Sequence, residues 1–460
     1  MASITRTAAL TAALAMALTP LAATADDGPR FATNAFPSTY SPLPSQPVLI
    51  TNATVLDGAG ARLDNTDVLM VDGRIAAIGS QLQAPEGSVR IDGSGKWVTP
   101  GIIDVHSHLG VYPSPGVQAH SDGNEMVAPN TAHVWAEHSV WPQDPGFAAA
   151  LAGGVTSLQI LPGSANLVGG RSVTLKNVPA TTTQAMKFPG APYGVKLACG
   201  ENPKRVYGGK GGPATRMGNM AGHRTAFIEA AEYAAKVKAA EGKRGGSSNP
   251  PRRDLKLETL AGVLEGEIIA HIHCYRADEM TNMLDLADEF GFRIGTFHHG
   301  VEAYKIADRL ATEGTCAALW ADWWGFKMEA FDGIQENIAL VDRVENSCAI
   351  VHSDSDEGIQ RLNQEAAKVM ANARRAGIEI APERAITWLT GNAARSLGIA
   401  NQTGTLVEGK MADVVLWNGT PFSSYALAEQ VWIDGALVHD RSDRQHRPVS
   451  DFRLGQEAAR

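Results

Sequence analysis

The chain has 460 residues, 44% of them hydrophobic and 19% charged, a composition that suits a folded globular protein with a large core. A formal net charge of −9 argues against a surface for nucleic acid or for an anionic membrane. Length alone permits one large domain or two to three smaller ones.

Arg6 precedes an apolar run from Ala8 to Leu18, and Ala23-Thr24-Ala25 has the small-x-small form of a cleavage site. That run is shorter than the roughly 20 apolar residues a membrane-spanning helix needs. Residues 1–25 are therefore expected to be a secretory signal peptide, which implies export, to the periplasm in a bacterium. No later segment is long and apolar enough for a membrane anchor. Cys199, Cys274, Cys316 and Cys348 are spaced too widely for a small disulfide framework or a Cys-x-x-Cys metal site, and the spacing leaves both free thiols and bridges open.

Residues 26–47, rich in Pro, Ser and Thr, read as an extended arm. From Val48 to Val98 short strand patterns take over, with Asp72-Gly73 as a hairpin turn between Asp67–Val71 and Arg74–Ile78. Pro100-Gly101 then launches the apolar run Ile102–Val105, which ends in His106 and His108. In a strand, residues i and i+2 share a face, so the two imidazoles would project together about 6–7 Å apart at the backbone. Imidazole is the commonest metal ligand near neutral pH, although a bare His-x-His is more often two satisfied histidines at a strand end.

A long polar loop from Val111 to Pro145 follows, and then the pattern alternates between strand and helix. Helical spacing covers Phe147–Leu151, Ala221–Ala240, Asp254–Leu264, Ala277–Phe290 and Ala303–Glu313. Strands are expected at Val155–Ile160, Tyr193–Cys199, Glu267–Cys274, Arg293–Gly300, Ala317–Trp320 and Cys348–Asp354. Gly163 to Gly170 reads as a glycine-rich loop at a strand exit, and Gly242–Arg253 as a basic surface linker. Alternation of this kind implies parallel strands with crossover helices, and at this length a (β/α)8 TIM-like barrel is the natural solution. His106, His108, Lys196, His271, His299 and Asp354 all fall at strand ends, where such barrels carry their chemistry. A lysine in a buried strand is costly unless paired or chemically changed; the commoner fate is to snorkel to water.

The tail returns to β, with a strand–turn–strand over Gly404–Trp417 and a hairpin over Val431–Val438. Residues 48–99 and 400–445 are thus expected to form one small discontinuous β-sandwich domain around a barrel of residues 100–399.

Three stretches, Asp72–Gly79, Pro100–His108 and Gly409–Val415, resemble the amidohydrolase superfamily, and within it the imidazolonepropionase-like metal-dependent hydrolases. The resemblance implies a divalent metal site, with zinc as the expected ion and one or two ions bound. His106 and His108 would hold the more buried ion with Asp354 in contact, and Lys196, if carbamylated, would bridge to a second ion held by His271 and His299. For the fifth strand His273 competes with His271, which is favoured as the head of the His-x-His. For the sixth, His299 is favoured because the His298 side chain should point the other way. Glu201 is the alternative to Lys196. The implied reaction is hydrolysis of an amide, cyclic amide or small-peptide C–N bond of a small-molecule substrate. Asp354 would act as general acid and base, and His273 or His352 would stabilise the oxyanion or orient Asp354. Glu201, Arg205, Arg216 and His352 are the substrate-binding candidates, with Tyr207 a further one. The same site would serve a deaminase or lactone hydrolase, and a non-catalytic metal-binding barrel is the reading from another class. A homo-oligomer stays open.

Overall fold

The computed structural model describes residues 30–241 and 250–443; the expected signal peptide lies outside the described residues. Strands β1 (Val48–Leu56), β2 (Arg62–Val71), β3 (Arg74–Gly79), β4 (Val89–Asp92) and β5 (Trp97–Pro100) come first. Asp72 and Gly73 both take positive φ, 49° and 75°, the turn that joins β2 to β3 with the right twist. The chain then runs through β6 (Ile102–Ser107), β7 (Val155–Ile160), β8 (Val168–Lys176), β9 (Gly194–Ala198), β10 (Ile269–Cys274), β11 (Ile294–His299), β12 (Cys316–Leu319) and β13 (Ala349–Val351), hydrogen-bonded in that order. Finally β14 (Val414–Trp417), β15 (Ala428–Ile433) and β16 (Ala436–Asp440) join the first sheet, ordered β16-β15-β14-β5-β1-β2-β3 with β4 beside β1.

The eight strands β6 to β13 make the TIM-like barrel, with one departure from an all-parallel sheet. β8 is antiparallel to both β7 and β9. Only residues 161–167 join β7 to β8, too few for the crossover of about a dozen residues that a parallel partner requires. The glycine-rich segment read as a loop is therefore a hairpin bend, and its last three residues, Val168 to Gly170, are strand. The expected strand in Gly404–Glu408 is likewise absent; that stretch is held by single backbone bonds, Leu406 N–H to Asp57 O and Gly409 N–H to Ile75 O.

Elsewhere local chemistry sets the element ends. Asp144 caps the helix Pro145–Ala152 by accepting from Gly146 N–H, with Pro145 in the first turn. Asp254 caps Leu255–Leu264 through Lys256 and Leu257 N–H. Gly291 and Gly314 end the helices Ala277–Phe290 and Ala307–Glu313 in the left-handed region. On β6, Ile103 and Val105 pack with Ala393, Ala394 and Leu397, while the intervening Asp104 and the following His106 turn to polar partners on β13's exit and β11. All four cysteines pair: Cys199–Cys274 ties the exits of β9 and β10, and Cys316–Cys348 the entries of β12 and β13, with Cα separations of 5.3 and 4.5 Å. Register between neighbouring strands, and not sequence spacing, brings these thiols together. Among the described residues no helix is long and apolar enough to cross a membrane.

Barrel, small sheet and arm meet at a buried ion cluster. Lys176 Nζ on β8 donates to Asp413 Oδ1 at 2.9 Å and to Asp434 Oδ2 at 2.9 Å. Tyr40 of the arm donates to Asp434, and Thr403 to Asp413 at 2.8 Å. Losing one partner strands charge in a dry site, at a cost of about 3–5 kcal/mol. Asp413→Ala is expected to lower the thermal unfolding midpoint clearly, whereas Asp64→Ala on the exposed face leaves it nearly unchanged; equal midpoints in a calorimetric scan would exclude this joint as the link between the two sheets.

Candidate metal centre

His106 is the fifth residue of β6, and His108 lies two residues on, at the strand's exit. Their Nε2 atoms are 3.3 Å apart. Opposite them the chain leaves β13 and turns sharply at Asp354, whose φ of 51° directs its carboxylate back over β6. Asp354 Oδ1 lies 3.2 Å from His108 Nε2 and 3.4 Å from His106 Nε2. Donors held at about 2.0–2.1 Å around a tetrahedral zinc ion are about 3.3–3.4 Å from one another, so these three edges match that shell. Lys196 Nζ on β9 adjoins it, 3.4 Å from His106 Nε2 and donating to Pro162 O at 3.2 Å. His108 donates from Nδ1 to Leu161 O at 2.9 Å, which leaves Nε2 as the bare acceptor a metal needs. A second trio, His106, His298 and His352, also clusters, but it is fully buried. His108 and Asp354 are partly exposed, so their trio is the one open to solvent.

Below this trio runs a line of buried polar side chains. His106 Nδ1 is 2.9 Å from His298 Nδ1, His298 Nε2 is 3.1 Å from His271 Nδ1, and His271 Nε2 is 3.1 Å from the Gln159 amide. If His106 Nε2 is to be a bare acceptor, His106 Nδ1 must donate to His298 and the pattern must repeat as far as His271 Nε2–H; the Gln159 amide, whose Nε2 faces that ring, supplies the acceptor when it turns over to present its unpartnered Oε1. Burial, with the charges of Lys196 and neighbouring histidines, holds His106 and His298 well below the ordinary histidine range, and burial and Lys196 bring His271 to about 3. All three are neutral at pH 7, the form that ligates. Lys196 is pulled down to about 8 by burial, against the opposing charge of Asp354. Burial tends to raise the Asp354 pKa, but the His108 hydrogen bond and the charges of His108, His352 and Lys196 outweigh it and hold the carboxyl below its ordinary value.

Several expectations need correction. His298 does not point away: His299, the last residue of β11, has φ 74°, and this break in the pleat lets both rings turn inward. His271 presents no free ring nitrogen, since His298 and Gln159 take both. His273, one pleat nearer the mouth, packs its ring 4.8 Å from that of His299 and leaves Nδ1 without a hydrogen bond. His299 Nδ1 lies 3.0 Å from His352 Nε2 and 3.8 Å from Asp354 Oδ2. His352 is buried against His299, which it braces through Nε2, and its Nδ1 has no hydrogen bond. Glu201 stays outside the trio, 3.8 Å from Lys327 in a loop ion pair. Arg216 is locked between Glu279 at 2.8 Å and Glu329 at 3.0 Å, which removes it as a carboxylate clamp. Arg205 remains exposed, donating only to Asn202 Oδ1 at 3.3 Å. The Tyr207 hydroxyl is buried and has no partner. Gln159 and Asn202 escaped notice because lone amides in a strand or loop carry no spacing signal; Asp104, an acid inside an apolar strand, did carry one.

A barrel whose strand ends gather histidines, a lysine and an aspartate defines a class of metal-centred proteins, and comparison identifies the group within it. The sequence profile of the Amidohydrolase family matches residues 334–442. The crystal structure of an amidohydrolase from Thermotoga maritima MSB8 superposes with a TM-score of 0.78 at 34% identity, covering 86% of this chain and all of that one. The chain belongs to the amidohydrolase family. The amidohydrolase tasK of Hapsidospora irregularis is 31% identical over 401 residues, 81% of this chain and 40% of that protein. A dihydroorotase of Citrifermentans bemidjiense is 29% identical over 175 residues, 38% of this chain and 33% of its own length. The chain thus spans well under half the length of these two relatives.

The histidine line predicts how metal binding responds to substitution. His298→Ala, which removes no atom of the trio, is expected to weaken metal affinity about 10–100-fold by releasing the His106 tautomer. His271→Asn should leave the number of ions per chain unchanged, and His273→Ala should lower it if two are bound. Metal analysis after dialysis against graded chelator reads each case.

Proposed function

We propose that the protein hydrolyses the C–N bond of an amide, cyclic amide or small peptide, with a divalent cation, zinc in our reading, held by His106, His108 and Asp354. When bound, such a cation acidifies water and polarises the scissile carbonyl. The observation that carries the reading is the placement of Asp354: Oδ1 completes the trio's edges at 3.2 and 3.4 Å, while Oδ2 is turned toward His299. A carboxylate shared in this way can take a proton from the attacking water and pass it to the leaving nitrogen, so that the C–N bond breaks to an acid and a neutral amine. Its lowered pKa keeps it ionised at neutral pH, with its oxygens unprotonated and free to accept a proton. His273 stands at the mouth, where it would hold a second ion or donate to the developing oxyanion. Similarity to a dihydroorotase supports cyclic amides as one substrate class.

Lys196, with its amine brought down to about 8, has a substantial neutral fraction near pH 7–8 and can add CO2 to form a carbamate with loss of a proton. The carbamate would replace a costly buried cation with a further ligand oxygen. Export is part of the same proposal, supported by the residue 1–25 pattern and by two disulfides, which persist in oxidising compartments.

Chelation is expected to abolish hydrolysis of dipeptides, N-acyl amino acids or hydantoins, and added zinc to restore it. Asp354→Asn should cut kcat about 100- to 10,000-fold. Full turnover by metal-free protein, or by this variant, would sink the proposal. Lys196→Gln should be inactive, with partial recovery in millimolar formate or acetate if the carbamate is real.

A further inference from the structure

We propose that the loop after β12, residues 320–331, is the specificity wall of this centre and receives a large apolar, preferentially aromatic, group of the substrate beside the scissile bond; the proposal rests on the hydrolase reading above. A continuous run of rings begins at the candidate ligand His299. Trp320 stacks on the His299 imidazole with centroids 4.3 Å apart, and Trp323 stacks on Trp320 at 5.3 Å. Phe326 closes the run edge-on, 5.8 Å from Trp320 and 6.2 Å from Tyr275, and Tyr275 itself stacks at 5.5 Å on His299.

The inner rings are buried and the outer ones face water: Trp320 is 8% exposed, Trp323 42% and Phe326 56%. Trp324, Met328 and Phe331 in the same short segment are exposed as well. Scattered exposed apolar residues are ordinary, but this many in one loop, two of them (Trp323 and Phe326) joined ring to ring with a polar reaction centre, mark a binding surface. The wall is also fastened in place. Lys327 Nζ sits 4.2 Å over the Tyr275 ring, 3.2 Å from Glu329 and 3.2 Å from Asn202 Oδ1, and Asn202 in turn reaches His273. The loop is thereby pinned to the exits of β9 and β10, and its rings keep a fixed distance from the reacting atoms. Fixed aromatic faces select for flat or bulky apolar groups at little entropic cost. The occupant is the substrate, because the ring run leads into the reaction centre and not away from it.

The test uses the full-length, metal-loaded enzyme and two matched pairs of compounds: N-acetyl-phenylalanine with N-acetyl-alanine, and N-phenylacetyl-glycine with N-acetyl-glycine. In at least one pair the phenyl member should have the higher kcat/KM. The variant Trp323→Ala/Phe326→Ala should lower that ratio about tenfold. The ring-retaining variant Trp323→Phe/Phe326→Trp should keep most of it. Equal ratios in wild type and the alanine variant would overturn the wall, as would a change in oligomeric state with selectivity intact. If none of the four compounds is hydrolysed, the N-acyl amino acid branch of the hydrolase reading fails separately from the wall, and calorimetric titration of the same compounds decides the wall. Phenyl-selective binding that the alanine variant loses supports it; binding indifferent to the phenyl group refutes it.

Discussion

The hydrogen bond from the Asp354 backbone N–H to the His106 carbonyl, 3.1 Å long, brings the first and last strands of the barrel together at the site. β13 is only three residues long, so backbone pairing alone gives it little hold on β6. The seam is reinforced by Asp104, which accepts from Ser353 N–H at 3.2 Å, from the Ser353 hydroxyl, and from His106 N–H at 3.2 Å. Burial pushes the Asp104 carboxyl up to about 7, and these donors work against that rise. Because the same few residues close the barrel and carry the trio, the spacing of the trio is set by closure.

The second constraint is desolvation. Six histidines and a lysine are packed into the barrel mouth with almost no water access, which would be ruinous if all were charged. They coexist because imidazole can be neutral and because five of the six rings pair with another ring, His106, His298 and His271 in a line and His299 with His352. Gln159 ends the line at the bottom of the barrel, and Asp354 is the counter-charge at the top. A metal ion would complete the same network by adding positive charge where the bare nitrogens and the carboxylate converge.

Much of this was readable from residue order. The apolar run before His106, the lysine inside an apolar strand and the His-Ser-Asp at residues 352–354 announce strand ends with ligand chemistry. The hairpin at Asp72-Gly73 and the capped helices rest on local rules that tertiary packing did not override. The antiparallel β8 was hidden because its glycines mimic a loop, and the short 161–167 connection that forces a hairpin exists only once the strand is seen. The choice between His271 and His273 was hidden for a different reason: both share a face, and only depth along the strand separates a ring whose two nitrogens are taken from one whose Nδ1 has no hydrogen bond.

Sequence by itself determined the fold class, the strands that bear the chemistry and the residue types at their ends, because hydrophobic period and turn residues act over short stretches of chain. Tertiary structure alone decided that His298 and His299 both turn inward, that both ring nitrogens of His271 are taken, which cysteines join, and that Arg216 is spent on Glu279 and Glu329. Those outcomes depend on strand register, on one left-handed residue at His299 and on distances between segments far apart in the chain, quantities that no local pattern encodes.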